Sequence, residues 1–159
     1  MAEQLDRTDL RILALLQSDG RISHVEIAAK VGLSPSPCAR RIRRLETAGV
    51  VEKYTALVDP KRVGQNVLAF VQIKLERHTD EIVGQFRRML AERPEVISAH
   101  AMTGEMDFLL RVVVPDLDAL GRLTLHQLLK FPGVRDVRSS LVLETLKSDS
   151  AVPLTAARD

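Results

Sequence analysis

The chain has 159 residues, of which 45% are hydrophobic and 28% are charged, so it can bury a core and does not belong to the disordered class. This length fits one or two compact domains and excludes a large multi-domain enzyme. Aromatic residues make up only 3% of the chain, which disfavours a surface on which nucleic-acid bases or sugars stack.

Basic residues are concentrated toward the N-terminus. Up to Gly64 the chain has 11 basic and 8 acidic residues, whereas the remainder has 12 basic and 13 acidic ones. The one cysteine, Cys38, permits no intramolecular disulfide and fits a reducing compartment. The N-terminal residues are polar, and no apolar run approaches the ~18 residues that a membrane span needs. We therefore expect a soluble cytoplasmic protein without a membrane partner.

Three short helices are predicted in residues 1–50, the first domain. The first helix follows Asp6 as its N-cap. The second helix begins with the capping box Ser23-His24-Val25-Glu26 and ends at Gly32. The third helix begins in Ser34-Pro35-Ser36-Pro37, where serine caps and proline at the first helical position agree. The pattern is typical of a helix-turn-helix unit.

The third helix is amphipathic, with arginines on its outer side. At about 100° per residue, Cys38, Ile42 and Leu45 share the face that is expected to pack inward. We assign a DNA-binding surface to the remaining positions and the helix start: Ser34, Ser36, Arg40, Arg41, Arg43, Arg44 and Thr47. Such a helix suits the DNA major groove, where arginine reads guanine edges and anchors phosphates. A solvated basic face is the alternative, and the preceding helix with its glycine turn favours DNA binding.

The second half of the chain changes from helical to strand periodicity. Residues 50–58 are rich in β-branched side chains and predict a strand or short wing, so that residues 51–64 form a strand and linker. Residues 65–147 then alternate as strand 67–75, helix 80–90, strand 96–102, strand 108–114, helix 117–129 and strand 134–146. This βαββαβ order predicts a ferredoxin-like domain, and the fold class is α+β. Residues 148–159 are expected to form a loosely held tail, in which residues 152–154 are candidates to dock on a neighbour.

A polar turn between two apolar strands is the candidate ligand site. Gly104 allows the backbone to approach a carboxylate closely, and Asp107 offers oxygen atoms to an ammonium group. Together these features suit the zwitterion of an α-amino acid. The same residues also fit a plain hairpin turn whose Gly and Asp satisfy local backbone groups, and the residues alone favour that interpretation.

Several motifs together resemble one family of regulators. These are Leu5-Asp6-Arg7-Thr8-Asp9-Leu10-Arg11-Ile12-Leu13, Asp19-Gly20-Arg21-Ile22-Ser23, Val31-Gly32-Leu33-Ser34-Pro35-Ser36-Pro37-Cys38 and Arg43-Arg44-Leu45-Glu46. The set is similar to the N-terminal signature of the Lrp/AsnC family, the feast/famine transcription regulators, and the resemblance extends over nearly the whole chain. It implies sequence-specific binding to double-stranded DNA, controlled by a free amino acid.

The same resemblance implies a role for the turn and its neighbours. Gly104-x-x-Asp107 matches the family's Gly-x-x-Asp turn, which contacts amino-acid effectors between subunits. The effector-binding residues implied are Ala101, Met102, Thr103, Gly104 and Asp107, with Leu129 and Ser140 approaching from the second helix and the last strand. A leucine- or methionine-like effector is the first choice, and a basic amino acid is the alternative if Glu105 points inward. Family members assemble from dimers, so a homo-oligomer that is a dimer, tetramer or octamer is expected.

Other chemistry finds no support in the sequence. The four histidines lie on different elements without metal-ligand spacing, and no nucleophile elbow or phosphate loop is present. We therefore predict a regulator and not an enzyme, with no metal and no cofactor. Two alternatives from other classes are an architectural DNA-bending protein without an effector and a small-molecule-binding module with an incidental basic helix.

Overall fold

The computed structural model describes residues 4–148 and 151–154, and the chain divides into two compact units. The first unit combines the chain up to Leu57 with the C-terminal stretch from Lys147, and the second unit is Val58–Leu146. The C-terminal stretch therefore belongs to the same unit as the N-terminal helices.

The predicted three helices form the first unit: α1 (Arg7–Ser18), α2 (His24–Val31) and α3 (Pro35–Thr47). Capping boxes start the first two helices, because Asp6 and Asp9 exchange side-chain-to-backbone hydrogen bonds, as do Ser23 and Glu26. Helix α2 ends at Gly32, whose φ of 76° lies in the left-handed region. This glycine lets the chain turn sharply into α3.

Apolar side chains from all three helices form the core of the first unit. Ile12, Ile27 and Ile42 are fully buried, together with Cys38 and Leu45. The inward face predicted for α3 is thus confirmed. Burial of this face fixes the rotation of α3 and points its arginine side outward.

The segment after α3 does not form the predicted strand. Residues 52–59 run without regular secondary structure before a short 3₁₀ turn at Pro60–Val63. Within the part of the chain that the structure describes, this segment is not paired with any strand of the sheet. Its β-branched residues favour extended backbone. A strand also needs a neighbouring strand with which to form hydrogen bonds, and composition does not specify that neighbour.

The second unit has the predicted ferredoxin-like fold. Its elements are β1 (Val67–Leu75), α4 (Asp80–Ala91), β2 (Val96–Ala101), β3 (Phe108–Val114), α5 (Leu117–Gly121) and β4 (Val134–Leu141). The four strands form one antiparallel sheet in the order β2-β3-β1-β4. Phe86 of α4 and Leu120 of α5 join one core with alternate residues of β1, so both helices cover the same face.

The second crossover differs from the single α-helix predicted over residues 117–129. Helix α5 ends at Gly121 and continues as a π-helical segment over Arg122–Leu128. The Thr124 hydroxyl donates to the carbonyl of Leu120 at 2.8 Å, and the Leu129 N–H donates to the carbonyl of Thr124 at 2.9 Å, five residues back. Periodicity alone did not reveal this wider turn.

The helices leave one side of the sheet uncovered, the open sheet face. In the strand register, Gln72 of β1 lies opposite both Leu109 of β3 and Arg138 of β4, and Phe70 of β1 lies opposite Ser140 of β4. These five side chains therefore share the open sheet face. Phe70 is 38% exposed on it. The open sheet face therefore combines one apolar ring with polar side chains.

Candidate functional site

Helix α3 is positioned as the second helix of a helix-turn-helix pair. Ser34 is its N-cap and has extended backbone, but its side chain makes no capping hydrogen bond. Pro35 occupies the first helical position, where its missing N–H costs nothing. The Ser34 hydroxyl is therefore not committed to the helix start.

The structure places most of the predicted DNA-binding residues on one exposed surface. The exposed positions are Ser34, Ser36, Arg40, Arg43, Arg44 and Thr47, and Arg41 is half-buried. In the described residues, neither Arg40 nor Arg43 forms an ion pair with a carboxylate. These two guanidinium groups are available to anions in solution.

Arg41 and Arg44 are held by a buried carboxylate that the sequence analysis had not assigned. Asp9 of α1 is 1% exposed, and its two oxygens accept from Arg41 Nη1 at 2.8 Å and from Arg44 Nη2. Arg41 also reaches Asp6 at 2.6 Å. The Asp9 backbone N–H and the Arg41 guanidinium together lower the pKa of Asp6. These contacts tie the arginine side of α3 to the start of α1.

The turn between β2 and β3 contains the predicted ligand residues. Gly104 has a φ of 112°, which disfavours any side chain, although a Cβ atom there would meet no neighbour within 4 Å. Ala101, Met102, Thr103 and Gly104 are all exposed along this turn. The turn therefore presents backbone and side chains to solvent, as a binding loop requires.

Asp107 is engaged within the chain. Its Oδ2 accepts from the Leu75 N–H at 2.7 Å, and its Oδ1 lies 2.9 Å from Nε2 of His78. Burial by itself raises the pKa of Asp107, but the hydrogen bonds from Leu75 and His78 outweigh it and lower the pKa. Asp107 thus fastens the turn to the end of β1, through a backbone group 32 positions away and not through the local backbone of the turn.

A cavity of about 220 Å³ lies beside the turn at the edge of the open sheet face. Its lining consists of Gln72, Met102, Thr103, Glu105, Met106, Phe108, Leu109 and Arg138. Arg138 Nη1 pairs with Glu105 at 3.0 Å, while its Nε donates to Asp136 at 3.0 Å. The cavity therefore combines apolar side chains with one cation and one carboxylate from the turn.

The structure does not bring all predicted effector residues to this cavity. Met102 and Thr103 line it. Ala101, Gly104 and Asp107 lie at or beside the turn but are not part of the lining, and Leu129 and Ser140 are exposed elsewhere in the unit. Arg138 was missed in the sequence, although strand alternation places it on the same face as Ser140, two residues away. His78 and Lys74 were also missed, and Lys74 donates to the carbonyl of Glu105.

The described residues contain no cluster of His, Cys, Asp and Glu side chains that would hold a metal ion. Among the same residues, no helix has the length and apolar character to cross a membrane.

Comparison with known proteins identifies both units. The profile described as a winged helix-turn-helix DNA-binding domain matches residues 5–52, and that of the Lrp/AsnC ligand binding domain matches residues 68–152. The leucine-responsive regulatory protein of Escherichia coli strain K12 is 42% identical over 148 residues, which cover 93% of this chain and 90% of that protein.

Solved structures agree over the same span. A transcriptional regulator from Neisseria meningitidis, crystallised as its L-Met complex, is 40% identical with a TM-score of 0.89, covering 94% of this chain and 96% of its own. An AsnC family regulator from Agrobacterium tumefaciens is 38% identical with a TM-score of 0.87, covering 94% and 97%. The chain therefore belongs to the Lrp/AsnC family, as a DNA-binding transcription regulator with that family's ligand-binding domain and not as an enzyme.

Proposed function

We propose that this regulator responds to a free amino acid with a compact apolar side chain, of the leucine or methionine type, bound in the cavity beside the turn. The observation that carries the proposal is the lining of this cavity. Met102, Met106 and Leu109 supply apolar surface next to Glu105 and Arg138. An amino-acid zwitterion presents a carboxylate to the guanidinium, an ammonium to the carboxylate and a side chain to the apolar wall. The L-Met complex of the Neisseria meningitidis relative supports this ligand class.

The pairing of Glu105 favours an apolar effector over a basic one. Glu105 lies 3.0 Å from Arg138, so its charge is already balanced inside the chain. The carboxylate and ammonium groups of any amino acid would share this pair, the first with Arg138 and the second with Glu105. A lysine or arginine side chain needs a further carboxylate, and Glu105 is the one acidic residue among the described residues that line the cavity, whereas an apolar side chain needs none.

Asp107 remains a candidate for the ammonium group on the strength of the family resemblance. In that role it would exchange its contact with His78, 2.9 Å away, for the ligand. Removing His78 would then free the carboxylate. His78→Ala is expected to tighten effector binding if Asp107 contacts the ligand, and to leave affinity unchanged if Asp107 only holds the turn.

We infer further that the regulator works as a homo-oligomer on DNA. Self-association through the open sheet face would cover Phe70, which is 38% exposed. A dimer would place two copies of α3 in successive major grooves, about 34 Å apart, so that a pseudo-palindromic site is expected. Leu129 and Ser140 would then approach an effector cavity from a second copy. A dimer, tetramer or octamer satisfies this geometry.

A thermal-shift screen of the purified protein against the common amino acids tests the effector. A ligand at about 100 times its Kd stabilises the folded state by about 2.7 kcal/mol, which is readily measured as a rise in Tm. We expect a rise with leucine- or methionine-like ligands that is lost in Arg138→Gln. Arg135→Gln is the matched control, because Arg135 is exposed on the same strand and does not line the cavity.

DNA binding is measured on the same variants. If no amino acid raises the Tm of protein that still binds DNA, the effector proposal is wrong and an architectural role replaces it. If the Tm rises but operator affinity and assembly stay constant, the ligand does not regulate. A separate variant, Arg40→Ala, tests the DNA contact. If Arg40 reads a base, this variant is expected to weaken operator binding by about 1–3 kcal/mol. Arg87→Ala, in the other unit, is the control because it removes the same charge.

A further inference from the structure

We infer that Ala151–Leu154 is a docking segment for a groove on the helix-turn-helix unit, so that the C-terminal end of the chain completes its DNA-binding unit. Residues 152–154 were expected at most to dock on a neighbour, within a loose tail. In the structure the segment lies against α1 of the same chain. Residues 149–150 and 155–159 of the predicted tail lie outside the described residues.

One side chain clamps the backbone of the docking segment. The Gln17 amide donates from Nε2 to the carbonyl of Val152 at 3.2 Å, and its Oε1 accepts from the Val152 N–H at 2.7 Å. Both backbone polar groups of Val152 are thus satisfied, as a neighbouring strand would satisfy them. The side-chain amide supplies both the donor and the acceptor that this pairing needs, whereas a carboxylate only accepts and an ammonium group only donates.

Apolar contacts continue beyond the clamp. Leu154 is half-buried and packs against the core cluster of the first unit. Val152 and Leu154 form one wall of the groove, in which a space of about 500 Å³ remains beside them. The other walls come from α1 and from the segment after α3, and they include Leu5, Leu13, Leu16, Val50, Val51, Tyr54 and Leu57. Val152 is exposed, so its backbone and the Leu154 side chain are the anchors.

Pro153 suits this position between the two anchors. Proline has no N–H to leave unpaired against the groove, and it holds the preceding residue in extended backbone. Val152 is therefore biased toward the conformation in which both its N–H and its carbonyl face Gln17. This bias lowers the entropy cost of docking a short segment.

Docking of the segment gives the DNA-binding unit a second covalent connection to the ligand-binding unit. The chain leaves the first unit after Leu57 and returns to it at Lys147, so the ligand-binding unit is inserted between two parts of the first. The second attachment depends on the docking segment. Without it, one connection holds the DNA-binding unit, and the groove beside Tyr54, which is 48% exposed with the segment in place, loses the wall that Val152 and Leu154 form.

Two truncations test the docking in solution. Ending the chain after Ser150 removes the segment, and ending it after Leu154 keeps the segment as the matched control. Tyr54 lines the groove and is the single tyrosine of a chain without tryptophan, so intrinsic fluorescence reports this site alone. We expect stronger acrylamide quenching and about tenfold faster amide exchange in the C-terminal half of α1 for the shorter chain only. Equal behaviour of the two truncations would overturn the inference.

A cross-link in the full-length chain identifies the occupant, and it stays informative if a truncation fails to fold. Ala14→Cys and Val152→Cys, two positions that line one shallow cavity, are joined by a short bismaleimide and resolved by denaturing electrophoresis. Both substitutions leave the Gln17 clamp intact, and Cys38 does not interfere because it is buried. A cross-linked monomer is expected. A cross-linked dimer would show that a second copy supplies the segment, and a yield no higher than that of the control pair would show that the segment is not docked. Lys30→Cys with Val152→Cys, outside the groove, is the control.

Discussion

The buried carboxylate of Asp9 is expected to be the polar group on which the position of α3 most depends. Asp9→Asn keeps the size of the side chain but removes its charge and replaces one acceptor oxygen with an NH₂ group. Two charge-assisted hydrogen bonds, to Arg41 and Arg44, are weakened. Each is worth about 1.5–3 kcal/mol when intact.

The cost is smaller than the sum of these bonds. The side chains of Arg41 and Arg44 are 30% and 45% exposed, so water solvates both guanidinium groups once Asp9 is neutral. Neutralising Asp9 also removes the penalty of burying a charge. We expect a net loss of about 2 kcal/mol in the free energy of unfolding, which lowers Tm by roughly 4–8 °C for a chain of this size.

Calorimetry and urea unfolding of Asp9→Asn measure this loss. Asp6→Asn is the comparison, because Asp6 is exposed and pairs with Arg41 but not with Arg44. Asparagine still caps the helix, so this substitution should cost less than about 1 kcal/mol, through the loss of an exposed ion pair. A double-mutant cycle with Arg44→Gln isolates the coupling between Asp9 and Arg44. If the free energy of unfolding of Asp9→Asn lies within about 0.5 kcal/mol of the parent value, the ion pairs do not hold α3 and the reasoning is refuted.

Three further outcomes are expected from the local geometry. Burial and the hydrogen bond to Glu46 raise the pKa of Tyr54 to about 12, so ultraviolet titration should show the phenol ionising near that pH and at a lower pH in Glu46→Gln. The stability that the protonated phenol contributes is present below pH ~10 and is lost as the pH rises through about 12. The folded protein lowers the pKa of Asp107, so the ionised carboxylate contributes stability above pH 3.8, the ordinary pKa of the group. This stability is lost as the pH falls through the pKa of the folded state. Acid titration of Asp107→Asn should therefore show a shallower loss of stability below pH ~4 than that of the parent. Gly104→Ala should cost about 1 kcal/mol in urea unfolding through its φ of 112° and not through a clash, and a neutral result would show that the turn relaxes.

Local signals in the sequence were sufficient for most of the fold. The N-cap Asp6 and the capping box at Ser23 marked two helix starts, and the spacing of Cys38, Ile42 and Leu45 identified the buried face of α3. These features depend on residues three or four positions apart, which helical periodicity brings together. Strand β3 matched its predicted bounds, because a run of β-branched residues between polar turns has few alternatives.

Features that depend on distant residues were not predictable in this way. Gln17 and Val152 are 135 positions apart, and Asp107 meets Leu75 across 32 positions. Neither pair follows a period of the sequence, so only the fold brings the members together. The wrong strand at residues 50–58 has the same origin, because pairing depends on a partner that local composition does not specify.

The arginines of α3 illustrate both outcomes in one helix. Arginines as close together as these repel one another and need anionic partners. The structure divides that charge: Arg41 and Arg44 lie against Asp9 inside the unit, while Arg40 and Arg43 face outward without a carboxylate among the described residues. The internal pairs hold α3 in place, and we propose that the outward pair contacts phosphates or base edges. Because two of the four arginines are fixed by Asp9 before DNA binds, the helix loses less conformational entropy on binding than a helix with four mobile arginines would.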